Sequence, residues 1–333
     1  MFKQEEDVNF IKQKAAFEAY YESVLLPKLQ ENDKIRRRYF LMFIILLLLA
    51  LIFYPLVIWA ILVLPNDSGT NVDIGAVLCA SGFVILTLRG PIYLYKKKAK
   101  NTIMADFAGF FGSFSYENER CLPDALLKQS ELFGDYNLNK GDDFFYGTYK
   151  DVNIVIAEEL LQKISYFYKT QAALGGRLEN QQETRKKKIF RGVCILLTMN
   201  KNFKGRTVVL KDRGIFNMFK HISGLERVKL EDMYFEDLFE VYSSDQIEAR
   251  YLLTTAFMER MLKLSELYGG KSIQFSFNNN QLLLAIPTDQ DMFEACSFFR
   301  SNVNKKKIFR VFEQFYTVFS VVDILKLNQK TGM

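Results

Sequence analysis

His221 is the sole histidine in a chain of 333 residues, so any Ser-His-Asp, Cys-His or multi-histidine metal arrangement would have to pass through it. It stands between Lys220 and Ile222 in a stretch that reads as a loop, which suits a solvated side chain better than a catalytic base. Cys79, Cys121, Cys194 and Cys296 show no C-x-x-C spacing and read as reduced structural thiols. There is no Walker-type glycine loop, and Gly109 with Gly112 suits helix packing better than a phosphate cradle. Acids could act without histidine, and Asp142-Asp143, Glu158-Glu159 and Glu231-Asp232 are the adjacent pairs. Neighbours on a strand point to opposite faces, so adjacency alone makes no dyad, and solvated loop acids are the simpler reading. Asp245, Glu248, Arg250 and Arg260 form the better candidate interaction site. Charges at the start of a helix can bind a partner or fix a neighbouring loop, although capping and structural ion pairs explain them first. From these residues no catalytic set, metal site or cofactor follows.

The elements that must position any such chemistry begin with two apolar stretches. Residues 40–64 carry no charge, and residues 74–95 are interrupted only by Arg89. A hydrocarbon core about 30 Å thick needs roughly 20 apolar residues in a helix, so both are long enough to span it. A buried core helix keeps a wet stripe, which 40–64 lacks. The second stretch is less uniform, because Arg89-Gly90-Pro91 interrupts it, and Pro55 and Pro91 are each placed to kink a helix. Arg36, Arg37 and Arg38 precede the first span, and Lys96, Lys97, Lys98 and Lys100 follow the second. The connection between them carries Asp67 and Asp73 but no Lys or Arg, so the expectation is that both termini face the cytoplasm. A signal peptide has a short basic leader, whereas a long polar segment precedes residue 40 here.

The remaining chain has ordinary globular composition, with 25% charged residues overall. The formal net charge of +6 comes partly from the clusters beside the spans, so it calls for no nucleic-acid partner. Before the membrane, residues 8–26 read as a helix with Phe10, Phe17 and Val24 on one side. Two partners fit that stripe: residues 101–114, with Ile103, Phe107, Phe110, Phe111 and Phe114, or a second copy of the chain in a homo-oligomer. Beyond residue 142 the pattern alternates. Residues 144–149 and 154–157 form an expected hairpin around a turn at 150–153, residues 170–188 read as an exposed polar loop with Gly175-Gly176, and 190–198 pairs with 207–210. One long helix is expected from Asp245 to Gly269-Gly270, then a hairpin, 272–277 with 282–286, turned by asparagines. Two closing helices are expected, the first capped by Thr288 or Asp289 with Met292, Cys296 and Phe299 inward, the second lined by Ile308, Phe312, Phe315, Phe319 and Val322. The fold class is therefore an α+β cytosolic domain of antiparallel hairpins with packed helices, attached to a two-helix transmembrane hairpin. The expected divisions are 1–39, 40–95 and 101–333.

The hexapeptide Lys-Lys-Lys-Ile-Phe-Arg occurs twice, at 186–191 and 305–310. Lys186, Lys187, Lys188, Lys305, Lys306 and Lys307, with Arg36, Arg37, Arg38, Lys96, Lys97 and Lys98, are candidate contacts to an anionic lipid surface. Chance repetition on solvated edges explains the repeat equally well.

Phe190-Arg191-Gly192, the run from Gly224 to Asp232, and above all Phe239-Glu240-Val241-Tyr242-Ser243-Ser244-Asp245 through Glu259-Arg260 resemble a bacterial membrane-protein family catalogued as domain of unknown function 3137. Thr255 stands where the resemblance would have proline. The resemblance implies a multi-pass protein of the bacterial inner membrane and supplies no catalytic residue. The sequence favours a membrane-anchored cytosolic interaction or sensory module. The alternatives are a membrane-bound enzyme acting on lipid or a phosphorylated substrate, and an accessory subunit of a transport complex.

Overall fold

The structure, a computed structural model, describes residues 2–63, 74–172, 178–212, 224–269 and 272–327. His221, the Gly175-Gly176 pair and the expected outward connection lie outside these residues. Contacts divide the chain into two units, Met1–Phe110 with Glu294–Phe312, and Phe111–Phe293 with Glu313–Met333.

In the first unit, α1 (Phe2–Tyr20) does not end before the membrane segment. A single π turn, Tyr21–Leu25, carries the chain directly into α2 (Leu26–Val63), and α3 (Ile74–Gly109) packs against it, the Tyr54 hydroxyl lying 2.8 Å from Ser81 Oγ. Both α2 and α3 are long and apolar enough to cross a membrane. Leu41, Ile45, Leu48, Phe53 and Leu56 on α2, with Leu78, Phe83 and Leu86 on α3, are exposed, whereas a core helix would bury such side chains. Pro55 and Pro91 sit inside uninterrupted helices.

At 1.5 Å per residue α2 and α3 run roughly 57 and 54 Å, well beyond a hydrocarbon core of about 30 Å. The excess length is where side chains bury. Phe17, Leu25, Leu29, Ala99, Ile103 and Phe107 are all buried in this unit. The Phe17 ring touches Phe107 and Phe110, and also Phe309 and Phe312 in the first turns of the last helix, Lys305–Leu325. The aromatic stripe before the membrane thus has a partner within the chain.

The second unit is built on one antiparallel sheet. Its strands are β1 (Ser113–Asn118), β2 (Leu138–Tyr149), β3 (Val152–Ala172), β4 (Leu178–Thr198), β5 (Thr207–Lys211), β6 (Glu226–Val228), β7 (Phe239–Ser243), β8 (Gln274–Asn278) and β9 (Gln281–Pro287). Their order is β1-β2-β3-β4-β9-β8-β5-β7-β6. Two hairpins close on two-residue turns with positive φ at both positions, Lys150 (49°) with Asp151 (66°) and Asn279 (48°) with Asn280 (59°). That backbone matches the twist of the flanking strands, and it makes the first turn shorter than the four residues expected. The fold is α+β with antiparallel hairpins and packed helices.

Several local expectations are corrected. Residues 190–198 do not pair with 207–210; β4 lies between β3 and β9, while β5 lies between β8 and β7. The polar stretch 170–188 is strand, not loop, in its described part: β3 and β4 continue as a two-stranded ribbon, paired from Lys163↔Lys187 to Ala172↔Leu178. Cross-strand hydrogen bonds need no apolar face, so hydrophobic alternation gave no warning of it. The long helix divides into α6 (Gln246–Leu252) and α7 (Thr255–Leu267), because Thr254 leaves the helical region and caps the second, its hydroxyl accepting from the Phe257 amide at 3.3 Å. Between them and β6 lies the short α5 (Met233–Leu238), capped by Asp232.

Residues 288–304 form no helix. Phe293 takes φ 57°, and side chains satisfy the local amides: Thr288 Oγ1 accepts from Gln290 N, Asn302 Oδ1 from Ser297 N, and Ser301 Oγ from Val303 N. Cys296 is buried as expected, but Phe299 is exposed. Within the second unit the last helix buries Phe315 and Phe319 against Phe111, Phe145 and Tyr149.

Candidate functional site

A buried polar constellation lies in the first unit, before the apolar stretch of α2 and at the end of that of α3. Asn32, Asp33, Tyr95, Lys100 and Asn302 are all buried there. Asp33 Oδ1 accepts from Arg36 Nε at 2.8 Å and from the Asn302 amide at 3.2 Å, and Oδ2 accepts from Arg37 Nε at 3.3 Å. Burial raises the Asp33 pKa, but the Arg36 and Asn302 hydrogen bonds outweigh it and hold the carboxyl below its usual range. The Asn302 side chain accepts from Ser297 N at 2.6 Å and donates to the Tyr95 hydroxyl, which donates to Asn32 Oδ1 at 2.7 Å. Arg36 also donates to the Phe298 carbonyl at 3.2 Å, and Glu294 Oε1 lies 3.7 Å from Lys100 Nζ and 3.8 Å from Lys96 Nζ. Each buried group has a partner, so the arrangement is a lock that fixes residues 294–302 against the helices rather than a reactive site.

Of the basic residues singled out by sequence, Arg36, Arg37, Lys96 and Lys307 gather around this segment. Burial holds the Lys307 ammonium below its usual pKa against the attraction of Glu294. Arg38, Lys98 and Lys306 are exposed, Lys97 lies over the Tyr93 ring, and Lys305 pairs with Glu18. Lys186 and Lys187 are exposed on the ribbon, whereas Lys188 reaches Asp289 at 2.5 Å. Sequence reasoning missed Asn32, Asp33, Tyr95, Glu294 and Asn302. The available signal was the Asn32-Asp33 pair one turn before three arginines at a span boundary.

The interaction candidates Asp245 and Glu248 share one corner of the second unit. Asp245 Oδ1 caps α6 by accepting from the Ile247 and Glu248 amides at 2.8 and 3.0 Å. Glu248 does not return a bond to that cap; it accepts from the amides of Lys204 (2.8 Å) and Gly205 (2.5 Å). A Cβ on Gly205 would lie 2.4 Å from Glu248 Oε2, so a side chain there would displace the carboxylate that takes the Gly205 amide hydrogen. Arg250 donates to the carbonyls of Gln246 and Lys229, and Arg260 to that of Leu325. In this structure the four charges brace separate segments.

Two acidic arrangements remain. A β-bulge in β2 sets Asp142 and Asp143 opposite Glu158, and the three carboxylates offer oxygens within 4.8 Å of one another. The bulge defeats the strand alternation that would have separated the two aspartates. The Tyr116 hydroxyl donates to Asp143 at 2.6 Å. Such oxygens suit a hard cation, although Ca²⁺ or Mg²⁺ takes about six or more ligands. On the other face of β3, Glu159 accepts from the Leu122 amide at 2.6 Å, and burial raises its pKa to about 8. A groove of about 270 Å³ between α4 (Asp124–Gln129) and the sheet is lined by Pro123, Leu126, Ser130, Leu196 and Leu283 among others, without a charged side chain. It is below the size that encloses most small-molecule ligands.

Residues 188–327 match the family model described as protein of unknown function (DUF3137). Comparison with curated proteins gave no match. Among solved structures, the chain is similar to the crystal structure of the mycobacterial trehalose monomycolate transport factor A, TtfA, at 13% identity over 66% of this chain and 92% of that one. The TM-score is 0.29.

Proposed function

With residues 188–327 belonging to the DUF3137 family, we propose that the chain is an interaction module of the bacterial inner membrane, anchored by α2 and α3, with both termini and the sheet unit in the cytoplasm. The observation that carries this reading is the ribbon formed by β3 and β4. Asn137 bonds the edge at Ile164, donating to its carbonyl and accepting from its amide, and beyond that point the paired residues contact no further strand among the described residues. Eight further residue pairs at about 3.4 Å per residue give a projection of roughly 27 Å. Proteins normally blunt open strand edges, so a long ribbon kept open favours a docking role. Tyr166 and Phe167 are 59% and 50% exposed on it and point to opposite faces, which gives a partner an aromatic anchor on either side.

The test is a full-length variant in which residues 165–185 are replaced by an Asn-Gly turn. It is expected to remain membrane-inserted and to melt within about 2 °C of the parent, since a ribbon outside the core contributes little to stability. It should lose the proteins that co-purify with the parent from crosslinked membranes. Recovery of the same set would overturn the reading.

A further inference from the structure

We propose that the turn around Phe299 is a third membrane contact, a wedge seated at the boundary between headgroups and acyl chains beside the cytoplasmic ends of the two spans. This rests on reading α2 and α3 as membrane-spanning. Phe298 and Phe299 are adjacent but have opposite surroundings. Phe298 is buried against Phe40, Phe43 and Tyr95, with ring centroids 5.8–6.0 Å apart. Phe299 is 61% exposed, and its ring meets Phe43 edge-on at 6.0 Å.

Phe43 is the fourth residue of the uncharged stretch, about 4.5 Å along the helix from Phe40. An aromatic ring beside it therefore lies at the level where the span enters lipid, the level at which Leu41 and Ile45 are exposed elsewhere on the helix circumference. Charge agrees with this placement, because exposed Arg38, Arg300 and Lys306 border the same region in sequence and suit anionic headgroups. The lock at Asp33, Arg36 and Asn302 holds the turn in place beforehand, so seating the ring requires no ordering of the loop. A second span could cover an exposed ring, but the flanking cations favour a headgroup surface.

The chain has one tryptophan, Trp59, within the first span, and this makes a clean measurement available. The parent and a W59F/F299W variant are reconstituted in bilayers containing phospholipid brominated at shallow or deep acyl positions. The indole introduced by Phe299→Trp replaces an exposed ring and has room for its larger size. Its emission is expected to fall more than twofold with shallow bromines, less with deep ones, and to resist aqueous iodide. Iodide quenching without bromine quenching would place the turn in water and overturn the proposal, and so would resistance to both, which would mean cover by protein. Parent Trp59 should be quenched by bromine in the same bilayers. If it is not, the spanning assignment itself fails, a result distinct from failure of the wedge.

Discussion

Glu159 is 1% exposed, with Oε1 taking the Leu122 amide hydrogen and Oε2 having no hydrogen-bond partner among the described residues. Burial disfavours the charged form, and the nearby Asp124 carboxyl adds to this, so the pKa rises to about 8 against the Leu122 bond, which lowers it. The direction of the pH dependence follows from proton counts. Below about pH 4.5 both folded and unfolded chains hold the proton; between about 4.5 and 8 only the folded chain does, so stability falls as pH rises through that range. The whole loss is on the order of 3–5 kcal/mol. Glu159→Gln keeps the Leu122 bond and removes the charge. Thermal melts of the parent from pH 5 to 8.5 should decline, while those of the variant should stay several degrees flatter; parallel curves would refute this account of Glu159. The sequence displayed Glu158-Glu159 as a pair after a strand, and the structure sets them inside β3 on opposite faces. What was not legible was the partner on each side, because a bulge in β2 and the segment leading into α4 come from elsewhere in the chain.

At the scale of elements, the break between α6 and α7 decides how one departure from the family resemblance should behave. Thr255 is the first residue of α7, where the amide has no intrahelical acceptor, and Thr254 before it has φ −63° and ψ 154°. That extended backbone is what a residue preceding proline prefers, and the first helical turn is where proline is tolerated. Thr255→Pro should therefore stabilise the protein by about 0.4–1 kcal/mol, chiefly by restricting the unfolded chain. Denaturant unfolding would check it, and a loss of more than about 1 kcal/mol would show that the start of α7 is misplaced. Capping residues were legible in advance at Asp245, where type and spacing act locally. Thr254 was overlooked because the apolar stripe Leu253, Phe257, Met261, Leu264 keeps helical spacing across the break. The ribbon was illegible for the opposite reason: its polar residues form strand without burying a face, so periodicity had nothing to register. The segment 288–304 reads as helix by its apolar spacing, yet Asn302 and Asp33 capture its amides, and those partners are 269 residues apart.

For the whole molecule, the strongest expectation is the direction in which the hairpin crosses the bilayer. Arg36, Arg37 and Arg38 stand before the first span and Lys96, Lys97 and Lys98 after the second, with Asp67 and Asp73 between the spans. Short loops rich in Lys and Arg are retained on the cytoplasmic side, and here both flanks carry them while the connection has none. Arg36 and Lys96 also pair with Asp33 and Glu294, so part of this charge serves the lock. The exposed Arg38 and Lys98 remain for orientation. The prediction concerns cysteine accessibility in spheroplasts, in a background where the exposed Cys79 and half-buried Cys121 are replaced by alanine and the two buried cysteines stay. Ser68→Cys, between the spans, should react at once with a membrane-impermeant maleimide. Ser23→Cys, exposed in the π turn, should react only after lysis, by a factor of ten or more in labelling rate. If Ser23→Cys reacts in intact spheroplasts, the hairpin is inverted, and the ribbon and the Phe299 turn face the other side of the membrane. Folding of the segments that the spans connect would then have outweighed the flanking charges.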